Sequence, residues 1–187
     1  MAADPARVGV LISGRGSNMQ ALVEQASGYR VVLVASDRPD AAGLTWTRDQ
    51  GLATWALSPK GIGKVGYEEQ LDSALREAGV GTIALAGYMR RLSDAFVARW
   101  RGRIVNIHPS LLPLYKGLDT HARALAAGDP EAGCSVHIVT EELDGGEVLG
   151  QTRVPVLPGD TPETLAARVL VEEHRLYPRT LREFLCR

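Results

Sequence analysis

Short apolar runs alternate with amphipathic stretches along the first half of the chain. Runs such as Arg30 to Ala35 (RVVLVA) are apolar on both faces, which is typical of strands covered on both sides. Between the runs, apolar residues recur at helical spacing. This alternation predicts an α/β protein with a right-handed, doubly wound, mostly parallel sheet. The predicted strands are 7–12, 30–35, 53–57, 82–86 and 103–107, and the predicted helices run from about Met19 to Gly28, up to about Gly51, over 67–78 and after the capping residue Ser93.

The second half of the chain has a different pattern. Residues 134–140 alternate weakly, and they are separated from the apolar stretch 148–156 by an Asp-Gly-Gly turn. Two strands around such a turn predict an antiparallel edge of the sheet. Thr161 followed by Pro162 predicts the start of a terminal helix, which Pro178 is expected to kink or split.

Composition and charge restrict the class of protein. The chain has 187 residues, 45% of them hydrophobic and 23% charged, as in an ordinary soluble domain rather than a disordered, coiled-coil or collagen-like chain. A net charge of −1 gives no support for nucleic-acid binding through phosphates, and no apolar run is long enough to cross a membrane. Two distant cysteines, Cys134 and Cys186, and no visible secretory signal predict a cytoplasmic protein without disulfides.

A glycine-rich loop, residues 13–18 (SGRGSN), lies between the first predicted strand and the first predicted helix. Its backbone N–H groups and the helix N-terminus suit a phosphate. The spacing is neither a dinucleotide fingerprint, because Met19 stands at the third glycine position, nor a Walker motif, because no lysine follows. Asp37, at the end of the second strand, resembles a ribose-binding acid and keeps a dinucleotide site open. A phosphate monoester is the favoured ligand, although a turn without a ligand fits the spacing equally well.

Asn106 and His108 are two residues apart on a predicted strand, so their side chains leave the same face. An amide donor beside an imidazole can stabilise an oxyanion while a proton is moved. Pro109 ends the strand and places the pair near its carboxyl end, where open α/β sheets bind ligands. Asp144 would favour a charged imidazole if it met His108. A polar pair at a strand end, and an Asp that only stabilises its own turn, are the alternatives.

Other catalytic arrangements find little support in the sequence. His121, His137 and His174 do not have metal-ligand spacing, so no metal site is predicted. A serine hydrolase is not indicated either, because the chain has no G-x-S-x-G motif.

Five motifs together identify a family. They are ISGRGSN at 12–18, LAGYMRRLS at 85–93, NIHPSLLP at 106–113, HIVTEELDGG at 137–146 and EEHRLYP at 172–178. With them, the sequence resembles the phosphoribosylglycinamide formyltransferases of purine biosynthesis from about residue 8 to residue 185. NIHPSLLP is shared by a wider superfamily, whereas the glycine loop and the LDGG segment are more specific. The resemblance implies a Rossmann-like sheet in one domain over 1–187, with a phosphate-binding part at about 7–100 and a folate-binding, catalytic part at about 101–187.

The resemblance also implies an activity. A formyl group would pass from 10-formyltetrahydrofolate to the amine of glycinamide ribonucleotide, without a metal. Asn106 and a protonated His108 would stabilise the oxyanion, while Asp144 keeps His108 charged and helps to position a water for proton transfer. The partners would be these two small molecules, with no nucleic acid or membrane, and the chain would be a monomer or a homodimer.

Binding residues follow from the same motifs. Gly16, Ser17 and Asn18 would hold the phosphate, and Glu173 the ribose. Lys64 stands where the family often has an arginine, so the charge is kept without the planar fork. The residues implied for the folate are Lys64, Met89, Arg90, Arg91, Leu92, Asn106, Glu141, Glu142, Leu143 and Asp144.

Three other functions remain open at this point. A formyltetrahydrofolate hydrolase has the same superfamily site, but it usually carries an additional amino-terminal regulatory domain. Methionyl-tRNA formyltransferase shares NIHPSLLP, but it normally adds an RNA-binding domain and a basic surface. A non-catalytic nucleotide-binding module would rest on Asp37 and the glycine loop alone.

Overall fold

A computed structural model describes residues 4–187; Met1 to Ala3, on which the expectation of no secretory signal partly rests, lie outside the described residues. Seven strands form one sheet in the order β3-β2-β1-β4-β5-β6-β7. The strands are β1 (Arg7–Ile12), β2 (Arg30–Ser36), β3 (Thr54–Ala56), β4 (Thr82–Leu85), β5 (Ile104–His108), β6 (Glu131–Ile138) and β7 (Val148–Pro155). The helices are α1 (Ser17–Glu24), α2 (Ala42–Asp49), α3 (Gly63–Glu77), α4 (Asp94–Arg99), α5 (Thr120–Ala127) and α6 (Pro162–Leu185).

The sheet is parallel from β3 to β5, and β6 runs antiparallel to both of its neighbours. This confirms the predicted α/β class and the mostly parallel sheet with an antiparallel edge. The strand order reverses between β1 and β4, which lie side by side although β2 and β3 come between them in the chain. Open α/β sheets bind ligands at such a reversal, beyond the carboxyl ends of the strands.

Helices cover both faces of the sheet. One apolar cluster joins the inner faces of α1, α2 and α6 to residues such as Val10 and Ile12 of β1, and a second joins α3 and α4 to Leu11. Successive side chains of a strand point to opposite faces, so a short apolar run supplies both clusters. None of the helices within residues 4–187 has both the length and the apolar content needed to cross a bilayer.

Several element boundaries differ from the sequence-based expectation. Helix α3 begins at Gly63, one turn before the predicted start, and α5 had no prediction at all. Strand β6 covers Glu131–Ile138 rather than 134–140. Its start is set by pairing with β7, where Glu131 lies opposite Pro155, and this register is not visible in the weak alternation of the segment.

The prediction that Pro178 splits the terminal helix is wrong, because α6 continues through it to Leu185, whereas the kink stays a prediction. A proline has no N–H for the carbonyl four residues earlier, which here belongs to His174. The Gln25 side chain supplies a donor instead, with Nε2 lying 3.1 Å from the His174 carbonyl oxygen. The residue just after α1 thus satisfies the acceptor that the helix itself leaves open.

Candidate active site

The glycine loop follows β1 and ends at Gly16, which precedes α1 in the left-handed conformation (φ 74°). The loop packs directly on α2, since the Gly43 N–H donates to the Gly14 carbonyl oxygen at 3.1 Å. A Cβ on Gly43 would lie 2.6 Å from Ile12 Cδ1 and 3.0 Å from the Arg15 carbonyl oxygen. This close approach fixes the loop so that the first N–H groups of α1 are presented together, as an anion site requires.

Asn18 and Glu173, two of the predicted ribonucleotide ligands, meet although 155 residues separate them. Asn18 Nδ2 donates to Glu173 Oε2 at 2.6 Å, and both side chains are buried. Burial raises the pKa of Glu173, and the bond from Asn18 opposes that shift. Within residues 4–187, Asn18 Oδ1 is a buried acceptor without a hydrogen-bond partner. The pair therefore lies beside the loop with one polar atom unsatisfied.

Asp37 does not face a ligand space as a ribose-binding acid would. It is only 8% exposed, and its Oδ1 accepts a hydrogen bond of 2.6 Å from the Ser13 hydroxyl. This internal contact removes much of the support for a dinucleotide site or a nucleotide-binding module.

Asn106 and His108 lie on one face at the carboxyl end of β5, as their spacing predicts. The antiparallel register places Asn106 directly opposite His137 of β6, and Asn106 Nδ2 lies 3.2 Å from His137 Nε2. His137 Nδ1 lies 3.0 Å from the Ile138 carbonyl oxygen, which can only accept, so Nδ1 carries the proton. The Nε2 of a neutral His137 then accepts from the Asn106 amide. Burial lowers the pKa of His137 and so favours this neutral ring.

His108 is buried between two protein acceptors. Its Nε2 lies 3.0 Å from the Tyr115 carbonyl oxygen, and its Nδ1 lies 3.5 Å from Asp144 Oδ2. The same Asp144 oxygen accepts from the Gly117 N–H at 2.9 Å, and Asp144 Oδ1 lies 3.5 Å from His137 Nε2. Asp144 therefore lies between the two imidazoles and faces both.

Two loops bring these groups to β5: residues 109–119, between β5 and α5, and residues 139–147, between β6 and β7. They contain all three non-glycine residues with positive φ in the described part of the chain: Tyr115 (54°), Asp119 (56°) and Asp144 (47°). Strained backbone of this kind concentrates at functional sites. A 2.7 Å contact from Lys116 Nζ to Glu142 Oε1 ties the loops together.

The segments predicted to line the folate pocket are adjacent. Arg91 Nη2 donates to the Glu141 carbonyl oxygen at 3.1 Å, which joins residues 89–92 to residues 141–144. Leu92 is buried, whereas Met89, Arg90, Arg91, Glu142 and Leu143 are exposed or half-exposed. Lys64 lies in the first turn of α3 and makes no hydrogen bond to either segment among residues 4–187, so the structure does not join it to this group.

His137 is the residue of this cluster that sequence reasoning missed as a site residue. Its spacing to the other histidines gives no metal pattern, and only the antiparallel register with β5 brings it opposite Asn106. The HIVTEELDGG motif, which includes His137, was the one signal that pointed to it. The backbone groups of Tyr115 and Gly117 carried no signal at all, because any residue type supplies a carbonyl or an N–H.

Comparisons with known proteins identify the family of this chain. The Formyl transferase family model matches residues 6–181. The phosphoribosylglycinamide formyltransferase of Escherichia coli (strain K12) is 44% identical over 180 residues, which cover 94% of this chain and 85% of that protein. The trifunctional purine biosynthetic protein adenosine-3 of Drosophila melanogaster is 46% identical over 182 residues, which cover 94% of this chain and 14% of that protein, so the chain spans about one seventh of its length.

Solved structures give the same result for the fold. The phosphoribosylglycinamide formyltransferase of Brucella melitensis superimposes with a TM-score of 0.92 at 51% identity, covering 97% of this chain and 96% of that one. The enzyme from Coxiella burnetii, in complex with CHES, superimposes with a TM-score of 0.90 at 42% identity, covering 96% of this chain and 87% of that one. The family match over most of the chain, and the identity to full-length relatives, decide the assignment: the chain belongs to the formyl transferase family, among the phosphoribosylglycinamide formyltransferases.

Proposed function

We propose that this protein transfers a formyl group from 10-formyltetrahydrofolate to the amine of glycinamide ribonucleotide, a step of de novo purine biosynthesis. The observation that carries the proposal is the convergence of Asn106, His108 and Asp144 at the carboxyl end of β5. These groups supply the amide donor, the imidazole and the carboxylate that formyl transfer to an amine requires.

The reaction forms one C–N bond and breaks another. The ribonucleotide amine attacks the formyl carbon, and negative charge develops on the formyl oxygen. The Asn106 N–H that is not used by His137 donates to this oxygen. The attacking nitrogen loses a proton through a water beside Asp144, and N10 of the folate gains one as the C–N10 bond breaks.

His108 has to change one partner to take part. In the structure both ring nitrogens face protein acceptors, Tyr115 O and Asp144 Oδ2. In a doubly protonated ring, the Nδ1–H group keeps its contact with Asp144. The Nε2–H group then donates to the formyl oxygen instead of the Tyr115 carbonyl oxygen. Loop 109–119 therefore has to release His108 when both substrates are bound.

The ribonucleotide occupies the glycine loop in this proposal. Its phosphate accepts hydrogen bonds from the N–H groups of Gly16, Ser17 and Asn18 at the start of α1, where the helix dipole favours an anion. The ribose hydroxyl groups meet Glu173, and the unsatisfied Asn18 Oδ1 offers a further acceptor. No metal has a part in the mechanism.

The folate lies between residues 89–92 and 141–144, the two segments that the Arg91 contact joins. Met89 and Leu143 supply exposed apolar surface, and the backbone of both segments supplies donors and acceptors for the pterin ring. The family resemblance alone supports a folate contact from Lys64, which would act as a point charge rather than a bidentate fork.

One absorbance experiment tests the proposal against the alternatives. Purified protein is mixed with a 10-formyl folate, with and without glycinamide ribonucleotide, and release of the deformylated folate is followed. We expect release only when the ribonucleotide is present. Equal release without it would indicate the hydrolase, and no release from folded protein would indicate a binding module.

A further inference from the structure

Asp37 takes no part in the proposed chemistry, yet its carboxylate is buried against Ser13, the first residue of the glycine loop. We propose that Asp37 is a positioning residue that acts through the Ser13 hydroxyl to hold the folate segment, residues 86–92, against the glycine loop. The inference rests on the proposed function for its kinetic consequence. The contact itself is independent of that function.

The Ser13 side chain connects three parts of the chain. Its hydroxyl donates to Asp37 Oδ1 at 2.6 Å and accepts from the Met89 N–H at 2.9 Å. The Ser13 N–H also donates to the Gly87 carbonyl oxygen at 3.2 Å. Because the hydroxyl has a single proton and donates it in the hydrogen bond to Asp37, an oxygen lone pair is left to accept from Met89. Asp37 thereby sets the direction in which Ser13 can accept.

Burial makes these hydrogen bonds costly to lose. Ser13 is 3% exposed, so little water is available to replace a missing partner. A hydrogen bond to an ionised carboxylate is also stronger than a neutral one, and adjacent hydrogen bonds polarise one another. Removing the acceptor at Asp37 should therefore also weaken the hydrogen bond from the Met89 N–H to the Ser13 hydroxyl.

The same segment rests on a second support near Asp37. The Tyr88 hydroxyl donates to the Tyr67 hydroxyl at 3.1 Å, and the Arg90 guanidinium lies 6.0 Å from the centre of the Tyr67 ring. Burial raises the pKa of Tyr67 to about 12, and the nearby Asp37 adds to this shift, so the phenol stays protonated at neutral pH. This support holds the side chains of the segment, whereas Ser13 holds its backbone.

The position of Ser13 gives the contact its importance. Ser13 is the first residue of the glycine loop, whose residues 16–18 bind the phosphate in the proposed function, and Met89 begins the four residues that line the proposed folate pocket. One hydroxyl therefore connects the two proposed substrate sites. Formyl transfer needs the reacting atoms within about 3.5 Å of each other, so a shift of this segment should reduce productive folate binding without removing a catalytic group.

The test compares Asp37→Ala, Asp37→Asn and Ser13→Ala, with Asp40→Ala, an exposed carboxylate three residues further along the chain, as control. We expect Asp37→Ala to raise KM for the 10-formyl folate by about tenfold, the size that fits the loss of one buried hydrogen bond to a charged group. Asp37→Asn keeps an oxygen acceptor and should restore KM to near the wild-type value. The KM for the ribonucleotide should change much less. Equal folate KM values in wild type and Asp37→Ala would overturn the inference.

Two further measurements separate positioning from general destabilisation. In a double-mutant cycle, the KM for the 10-formyl folate should be no higher in the double variant Ser13→Ala/Asp37→Ala than in Ser13→Ala alone. Additive effects of the two substitutions on this KM would contradict the inference. Amide exchange in peptides covering residues 86–92 should be faster in Asp37→Ala while thermal unfolding shows a folded protein. If wild type transfers no formyl group, the proposed function fails, and unchanged exchange in this segment would still overturn the contact role of Asp37.

Discussion

The two ends of the proposed reaction cleft are built in different ways. At the glycine loop, three consecutive residues, 16–18, present backbone N–H groups, and a single distant side chain, Glu173, completes the site. At the other end, His108 and Asp144 come from different segments, and backbone groups of a third segment hold them in place. The first end depends on a turn and a helix start, the second on side chains and strand register.

This difference separates binding from chemistry. In the proposed function, the backbone N–H groups of the glycine loop bind a phosphate whose charge does not change during the reaction, so they contribute equally to the ground state and the transition state. The proposed role of the side-chain cluster is to face the atoms on which charge develops. Changes at the glycine loop should therefore appear mainly in KM, and changes at the cluster mainly in kcat.

The largest expected effect comes from breaking the side-chain end. We expect His108→Ala and Asp144→Asn to lower kcat by about a hundredfold or more, as loss of one oxyanion donor does. The KM for the ribonucleotide should change little, because the glycine loop is intact. Steady-state kinetics measure both, with Glu147→Gln, an exposed carboxylate at the end of the same loop, as the control. Wild-type kcat in a folded His108→Ala variant would contradict the assignment.

The next effect comes from breaking the backbone end. A Cβ at Gly43 would lie 2.6 Å from Ile12 Cδ1, so Gly43→Ala should displace the loop from α2. Overpacking of this kind costs about 1–3 kcal/mol, which corresponds to roughly tenfold weaker ribonucleotide binding if the loop takes the strain. Titration calorimetry with the ribonucleotide measures this. Gly66→Ala, with its nearest contact at 3.7 Å, is the matched control. A larger loss in kcat than in affinity would argue against the division between the two ends.

A smaller effect is expected from a substitution of His137, which contacts Asn106 at the side-chain end. His137→Gln should lower kcat by up to about tenfold, because the Asn106 amide loses the ring acceptor that orients it. His174→Gln is the control: burial also lowers the pKa of His174, but that ring lies on α6. If both substitutions lower kcat alike, His137 has no orienting role.

The same pair of variants predicts a pH dependence of stability. With the folded pKa of His137 and His174 lowered, the unfolded chain binds more protons as pH falls below about 6.5. Stability should therefore fall over that range until the folded rings titrate as well. Urea unfolding between pH 8 and pH 5 should show a shallower loss in each variant. An unchanged slope in both would show that these rings are not neutral in the folded state.

The smallest effect concerns Glu173 at the backbone end. Burial raises its pKa, so the folded protein holds this proton to higher pH than the unfolded chain does, and stability falls as pH rises from about 4.5 through the raised value. Glu173→Gln should raise the thermal midpoint at pH 8 and leave it unchanged near pH 4, while ribonucleotide binding weakens. Glu183→Gln, exposed on the same helix, should leave the pH profile of the wild type unchanged.

The parts of the molecule that local patterns specify were predictable. Buried runs such as Arg30 to Ala35 become central strands because both faces must be apolar. The Asn-x-His spacing placed Asn106 and His108 on one face because strand geometry has a period of two. The glycine loop lies between β1 and α1, as the order of the apolar run, the glycines and the helical pattern in the sequence predicts.

The parts that depend on distant pairing were not predictable in the same way. The start of β6 is set by its partner β7, and the place of His137 by the register with β5. Asp37 resembles a ribose-binding acid in sequence, and only the folded position of Ser13 gives it an internal partner. Pro178 looked like a helix break because the donor that compensates for it, on Gln25, lies outside the helix.

The bond between Asn18 and Glu173 also has a consequence for biosynthesis of the chain. Asn18 is synthesised 155 residues before Glu173, which lies on α6. The five parallel strands, β1 to β5, all precede α6 in the chain. The Glu173 carboxylate, which the proposed ribonucleotide site needs, arrives only when α6 docks. In the proposed function, a nascent chain whose α6 is still being synthesised therefore cannot bind the ribonucleotide in the finished geometry.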